Sequence, residues 1–440
     1  MFLPAYVKNC IDALEQAGFA AYAVGGCVRD ALLGLDPADY DLCTAALPEQ
    51  TEEVFRDHKL VLAGKKHGTV GVVTEGGVVE ITTFRTEGAY LDNRHPEWVA
   101  FVPEIEADLA RRDFTVNAMA YSPSRGFADP FGGRDDLKAG ILRAVGDPAQ
   151  RFREDSLRIL RGARFAAKYR LTPDPATEMV MFSLASLMDN LARERVFDEL
   201  CKLLLSATAA DLTRFAPVIT AAIPELAPAV GFDQRNPHHS HDVYGHIARV
   251  VEGVPKELPL RWAALLHDAG KPACFTLTET GRGRFLGHAK VGAQIANDVL
   301  LRLKAPTQLR EDVVFLVERH MVLLEPDKKL LRRRLSQYGV EHTQRLLALQ
   351  RADFGGKGTG DADDHYYLQS ISGMLNELLA ERSCLTLKGL AIDGRDLMAI
   401  GYAPGKALGN CLQHLLELVL DEQLPNEKEA LLQEAEYFKL

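Results

Sequence analysis

The sequence predicts an α+β head, a small mixed sheet with helices, followed by an all-α remainder. Three observations carry this. Short apolar or alternating runs that read as strands, at 20–24, 39–43, 68–74 and 78–85, all fall in the first part of the chain. The turn cluster Asp129-Pro130-Phe131-Gly132-Gly133 then reads as a hinge. Beyond it, residues 151–170, 192–205 and the stretch after residue 400 carry helical patterns instead.

Taken in order, residues 4–17 form an amphipathic helix, with Pro4 suited to its first turn. The apolar run 20–24 is a short buried strand. Gly25 and Gly26 let the backbone turn sharply and approach a ligand, and the amides that follow open a helix whose N-terminus favours an anion. Arg29 lies about one turn in, within reach of the same anion. Asp39 and Asp41 sit two apart on the strand 39–43, so both point to one face. Two carboxylates on one face hold divalent metal and repel each other without it. Residues 48–57 read as a helix. The strands 68–74 and 78–85 pair through the turn Glu75-Gly76-Gly77. Glu80 on that hairpin could supply a third carboxylate from a neighbouring strand, but reads first as an edge-strand solvent charge and is left outside the site. Residues 84–96 form a long polar loop. In 109–121, Arg111, Arg112 and Asp113 precede an apolar helix.

Length and composition bound the rest. A chain of 440 residues suits about three domains. The formal net charge of −10 argues against a broadly basic nucleic-acid wrapper, so any RNA contact must use local basic patches. One such patch is residues 143–170, with eight Arg or Lys against three Asp or Glu. There Asp155, Arg158, Arg161 and Arg164 recur every three residues and form one stripe of a helix. A solvated arginine face would explain the stripe. Alternatively, a carboxylate accepting from an exocyclic amine, beside an arginine donating to ring acceptors, would read the pairing edges of C and A against U and G. The seven cysteines are scattered, odd in number and without a CxxC pair, which suits reduced thiols in a cytoplasm. No apolar run reaches membrane-spanning length, so no membrane partner is expected.

A different chemistry begins near residue 237. His246 lies on a helix, and His267-Asp268 ends another and is followed by Gly270-Lys271-Pro272. His288, His320 and Asp353 follow. Taken singly, each histidine is more often a satisfied structural residue than a ligand, while Lys271 could bind phosphate. The cluster Lys328, Lys329, Arg332, Arg333 and Arg334 is either a solvated face or an RNA backbone contact.

The order Gly25-Gly26, Arg29-Asp30, then Asp39-x-Asp41 resembles the signature of the class II nucleotidyltransferases, the CCA-adding enzymes and bacterial poly(A) polymerases. The resemblance covers nearly the whole chain. It implies addition of C, C and A to a tRNA 3′ end from CTP and ATP, with Asp39 and Asp41 holding two Mg²⁺. It places Gly26, Arg29 and Arg112 on phosphates, Asp113 near the ribose, and Asp155, Arg158, Arg161 and Arg164 on the base. Tyr90, Asp92, Arg94, His95 and Pro96 match the family's active-site loop, and residues 192–205 its helical neck, with Arg193 and Glu194 as supports. The His267-Asp268 pair resembles the HD metal-dependent phosphohydrolases. That implies a first metal set of His246, His267, Asp268 and Asp353, with His288 and His320 completing a second position, either active or retained for shape; six nitrogen and oxygen donors would suit a binuclear centre of Mn, Fe, Ni or Mg better than a closed zinc site. The resulting division is a nucleotidyltransferase head (1–140), a helical neck (141–235), an HD domain (236–355) and a helical tRNA-binding tail (356–440). A poly(A) polymerase, an enzyme adding only A, and an HD phosphohydrolase with an RNA-binding head remain open readings, as does the oligomeric state.

Overall fold

A computed structural model describes residues 1–87, 99–236, 240–358, 362–381 and 384–439. The predicted loop residues Tyr90, Asp92, Arg94, His95 and Pro96 lie outside the described residues. The chain divides into two compact units, 1–227 with 302–304, and 228–301 with 305–440.

The first unit opens with helix α1 (Ala5–Gln16), which buries Val7, Cys10, Ile11 and Leu14, with Pro4 at its N-cap. The sheet strands are β1 (Ala21–Val24), β2 (Asp41–Thr44), β3 (Leu60–Val61), β4 (Thr69–Thr74), β5 (Gly77–Thr83), β8 (Ala120–Ser122) and β9 (Gly126–Ala128), while β6 (Arg85–Glu87) and β7 (Val99–Phe101) pair separately. The seven-stranded order is β3-β4-β5-β2-β1-β8-β9. Only the β2–β5 pairing is parallel in it, so the sheet is mixed, as predicted. Helices α2 (Gly26–Leu32), α3 (Pro48–Val54) and α4 (Ile105–Ala110) accompany the sheet. Tyr22, Val24, Cys43 and Phe84 pack with Ile105 and Leu109 of α4 in one core.

Three local expectations are corrected. Asp39 precedes β2 instead of lying on it. Arg111–Asp113 follow helix α4 and do not begin an apolar helix. A 3₁₀ turn (Thr115–Asn117) and β8 come next, because Ala120 and Tyr121 pair with Val24 and Ala23 of β1; strand pairing overrides a weak helix preference. The helix read through 151–170 is broken into α6 (Pro148–Glu154) and α7 (Leu157–Tyr169), with α5 (Gly133–Ala139) before them. Asp155 causes the break. Its Oδ1 accepts from the Leu157 amide at 3.1 Å, a side-chain alternative to continued helix. Helices α8 (Pro175–Ser183), α9 (Arg193–Leu204), α10 (Ala209–Arg214) and α11 (Ala216–Ala222) complete this unit.

The second unit is almost wholly helical. Helices α12 (Val243–Gly253), α13 (Leu258–Leu266), α14 (His288–Arg302), α15 (Thr307–Arg319), α16 (Lys328–Tyr338) and α17 (Val340–Gly356) come first. They are followed by α18 (Ala362–Ala380), α19 (Gly394–Ala399), α20 (Lys406–Leu420) and α21 (Lys428–Phe438). Leu397, Cys411, Leu415, Leu416 and Leu431 form a separate core among the last three helices.

Candidate functional site

In the first unit, all ten residues predicted for nucleotide and metal binding line one cavity of about 510 Å³: Gly26, Arg29, Asp39, Asp41, Arg112, Asp113, Asp155, Arg158, Arg161 and Arg164. The Gly-Gly turn does its part through Gly25, whose φ is +75° and whose missing Cβ would sit 2.8 Å from an Arg112 nitrogen. The positive φ is what calls for glycine there, while a side chain would also push the Arg112 guanidinium aside. Burial, the neighbouring Asp39 and Glu80 together push the Asp41 carboxyl up to about 6, against the opposing pull of Arg112. Glu80 is the register partner of Asp41 across β2 and β5, so its charge is part of this acidic group. Such unbalanced negative charge suits a divalent cation.

The arginines arrive already paired. Arg29 is buried, donates to Asp30 at 2.7 Å and to Asn117, and lies 4.0 Å from the Tyr169 ring centroid. Arg112 reaches Asp108 at 3.3 Å, and its Nε, buried, has no hydrogen-bond partner. Asp113 accepts from Arg161 at 2.7 Å, from the Phe114 amide at 2.8 Å and from Asn117 at 3.0 Å. Burial would raise its carboxyl, but Arg161 and Asn117 outweigh it and bring it down to about 2.

Arg158 donates to Glu154 at 3.0 Å and to the Arg111 carbonyl at 2.9 Å. Asp155 accepts from Arg195 at 2.9 Å. Arg164 contacts the buried Glu199 at 2.5 Å, and Arg161 lies 3.9 Å from it. The stripe is thus held from α9 by Arg195 and Glu199. Arg193 and Glu194, expected as supports of the neck, make structural contacts there: Arg193 donates to the Asp189 carbonyl and Glu194 pairs with Lys304. A signal was available: Glu199 interrupts the apolar face of Val196, Leu200 and Leu203.

In the second unit, the predicted metal residues converge. His246, on α12, lies 2.9 Å from Asp353 of α17 and 3.4 Å from Asp268. His267 is 3.2 Å from Asp268 Oδ2, and His288 is 3.3 Å from Oδ1. His288 and His320 Nε2 atoms are 3.2 Å apart. Two triads, His246-His267-Asp268 and Asp268-His288-His320, each bring ligand atoms within 4.8 Å of one another, so Asp268 bridges them. The Nδ1 atoms of His267, His288 and His320 face the carbonyls of Ala264, Phe285 and Val317 at 2.7–2.8 Å. Bonds of this kind hold the Nδ1 proton and turn the Nε2 lone pair inward, as metal-ligating histidines require. Asp268 Oδ2 is buried and meets the Lys271 ammonium at 2.7 Å, so a cation already sits against it. Gly270 lets α14 approach, since a Cβ there would lie 2.4 Å from the His288 carbonyl.

Charges set the two carboxylates low. Burial raises the Asp268 carboxyl, yet His267 and Lys271 hold it well below the usual range. Burial lowers His267, but Asp268 and Asp353 bring it above its ordinary value. Burial and His267 lower His320 to about 4. Sequence reasoning missed Gln234, which meets Lys271 at 2.9 Å, and Gln350, which donates to the His320 carbonyl at 3.1 Å. Neither glutamine carries a pattern that would reveal it.

The cluster 328–334 is occupied internally. Lys328 pairs with Glu377, Lys329 and Arg333 with Asp421, and Arg332 with Glu422. These pairs fasten α16 to the segments around α18 and α20.

A mixed-sheet head that gathers paired aspartates and arginines in one cavity, ahead of a helical body, defines an enzyme of the nucleotidyltransferase class. Residues 21–143 match the poly A polymerase head domain, 170–214 a probable RNA and SrmB-binding site of polymerase A, and 284–435 a putative tRNA nucleotidyltransferase domain 2. The CCA-adding enzyme of Levilactobacillus brevis is 33% identical over 96% of this chain and 95% of its own. That of Streptococcus gordonii is 32% identical over 98% of this chain and 97% of its own. The crystal structure of the Bacillus stearothermophilus CCA-adding enzyme in complex with CTP superposes with a TM-score of 0.71 at 27% identity, covering 99% of this chain and 97% of that one. The chain belongs to the CCA-adding enzyme family. His246, His267 and Asp268 fall between the matched segments 170–214 and 284–435.

Proposed function

We propose that the chain adds C, C and A to the 3′ end of tRNA, taking CTP and ATP and releasing pyrophosphate. The observation that carries this reading is the meeting of Asp39 and Asp41 with Arg112 and the Asp155–Arg164 stripe in one cavity. Asp39 and Asp41 hold Mg²⁺, which supplies charge neutralisation and Lewis acidity at the attacking hydroxyl and the triphosphate. Gly26 gives backbone room at the turn. Arg112, with one nitrogen unpartnered, binds phosphate, and Arg29 stiffens that wall. Asp113 fixes Arg161, so its role toward the ribose is that of an anchored carboxylate. Asp155 and Arg158 present the base-reading face, and Arg161 and Arg164 orient it. The reading carries the four-part division at 140, 235 and 355, and action in the cytoplasm.

We further propose that the histidine–carboxylate cluster is an HD-type divalent metal centre, for Mn, Fe or Ni, with phosphohydrolase capacity. Its support is the double triad sharing Asp268. Incubation with tRNA lacking its CCA end, with each labelled nucleotide alone and together, tests the main reading. Incorporation of C, C and then A is the expected result. Addition of A alone, to unrelated RNA, would favour a poly(A) polymerase.

A further inference from the structure

The buried ammonium of Lys271 is the group in the second unit that the proposed metal centre does not use. Its Nζ lies 2.7 Å from Asp268 Oδ2, in ionic contact. That oxygen also faces His246 and His267 at 3.4 and 3.2 Å. It is therefore the donor through which the His246-His267-Asp268 triad would take a cation. Lys271 is fixed from behind by Gln234 Oε1 at 2.9 Å, and Gln234 is itself buried and donates to the His241 carbonyl at 3.1 Å. The same lysine lines a cavity of about 480 Å³ together with Asp268, His288, His320 and Asp353, so an outward path is open to it.

We infer that Lys271 is a resident counter-cation: it neutralises Asp268 in the empty centre and competes with the metal for that carboxylate. The inference rests on the metal-centre reading above. Two acidic groups stand here among histidines, Asp268 buried and Asp353 nearly so. Buried carboxylates need a nearby positive charge. Lysine supplies it without a metal, and the same charge repels an incoming divalent ion at close range. The arrangement separates two effects that a purely structural lysine would move together. Removing the charge should weaken the empty protein and strengthen metal binding.

The test is Mn²⁺ titration by calorimetry, with thermal melts, on the full chain and on Lys271→Met. Lys271→Met should bind Mn²⁺ at least about tenfold more tightly, since a like charge beside the ion is gone. Its metal-free melting temperature should fall, and saturating Mn²⁺ should close the gap to the unchanged protein. Should Lys271→Met fail to fold, Gln234→Leu keeps the charge but releases its tether, and should tighten Mn²⁺ binding by a smaller factor. Equal or weaker Mn²⁺ affinity in the folded variant overturns the inference and leaves the metal centre standing. If the unchanged protein binds no Mn²⁺, Fe²⁺ or Ni²⁺, the metal centre itself falls and the inference with it.

Discussion

The two carboxylate centres of this chain solve the same electrostatic problem in opposite ways. In the head, Asp39, Asp41 and Glu80 are neighbours, and the Asp41 carboxyl is pushed up to about 6. Of the arginines nearby, Arg29 is committed to Asp30 and Arg161 to Asp113, and Arg112 offsets only part of the charge. In the second unit, Asp268 and Asp353 are buried deeper, yet both carboxyls lie well below the usual range, Asp353 because His246 and His267 outweigh its burial. There the protein brings its own cations. A centre with unmatched charge needs metal to be complete, whereas a self-neutralised one must exchange protons or an ammonium for it.

The largest test of this contrast removes the unmatched charge. Asp39→Ala or Asp41→Ala should lower nucleotide addition by at least about three orders of magnitude, because transition-state charge then lacks its metal. The melting temperature without Mg²⁺ should hold or rise, since repulsion is relieved. Near-normal incorporation in either variant would end the assignment. In the second unit the sign reverses. His267→Ala with Asp268→Ala should abolish transition-metal binding and any phosphoester hydrolysis while nucleotide addition persists. If hydrolysis survives in the double variant, the cluster is not its source.

A finer test sits between the two centres in size. Asp155→Ala removes the acceptor proposed to read the exocyclic amine, so discrimination of CTP and ATP against UTP and GTP should fall by about 1–3 kcal/mol. Because Asp155 is also held by Arg195 at 2.9 Å, part of that loss should appear in Arg195→Ala, which keeps the acceptor but frees it. Values of kcat/KM for all four nucleotides on both variants decide. An unaltered C/U ratio in Asp155→Ala would reduce the stripe to a solvated arginine face.

How much of this was legible in the sequence follows from how local each signal is. Adjacent residues with a fixed chemistry were readable: Gly25-Gly26, Asp39-x-Asp41 and His267-Asp268 each point to the role that their geometry supports. The histidine set was assembled from the likeness of His267-Asp268 to the HD pair, not from the isolated histidines, and the structure brings its members together. What could not be read was pairing at long range. Ala120 and Tyr121 became strand because β1 lies beside them, a partner about a hundred residues away. The break at Asp155 was hidden because a three-residue spacing looks helical whether or not the chain bends. The counter-ions Arg195 and Glu199 were not singled out, since a helix can be recognised without knowing which of its charges meets a partner on another helix. The basic cluster 328–334 illustrates the same limit. Its charge is local, but the acids that quench it, at 377, 421 and 422, are not.

The smallest predicted effect separates the centres by pH. A carboxyl raised to about 6 is protonated below that value and ionised above it. Metal binds the ionised form, so the head loses its ligand as pH falls through 6. Between pH 7 and pH 6 the ionised fraction of such a group drops from about nine-tenths to one-half, and apparent Mg²⁺ affinity should weaken roughly twofold. The metal-free head responds in the other direction, since protonation removes the repulsion between Asp41 and its neighbours and the folded state binds the extra proton. At the second centre, the controlling group is His267, raised above its ordinary 6.5 by Asp268 and Asp353. Its proton must leave before Nε2 can bind metal, so Mn²⁺ affinity there should begin to fall at a higher pH than Mg²⁺ affinity in the head. His320, held to about 4, adds nothing to this window. Parallel titrations of Mg²⁺-dependent nucleotide addition and of Mn²⁺ binding between pH 5.5 and 8 make the comparison. Superimposable pH profiles would mean that the two centres do not differ in how their charge is balanced.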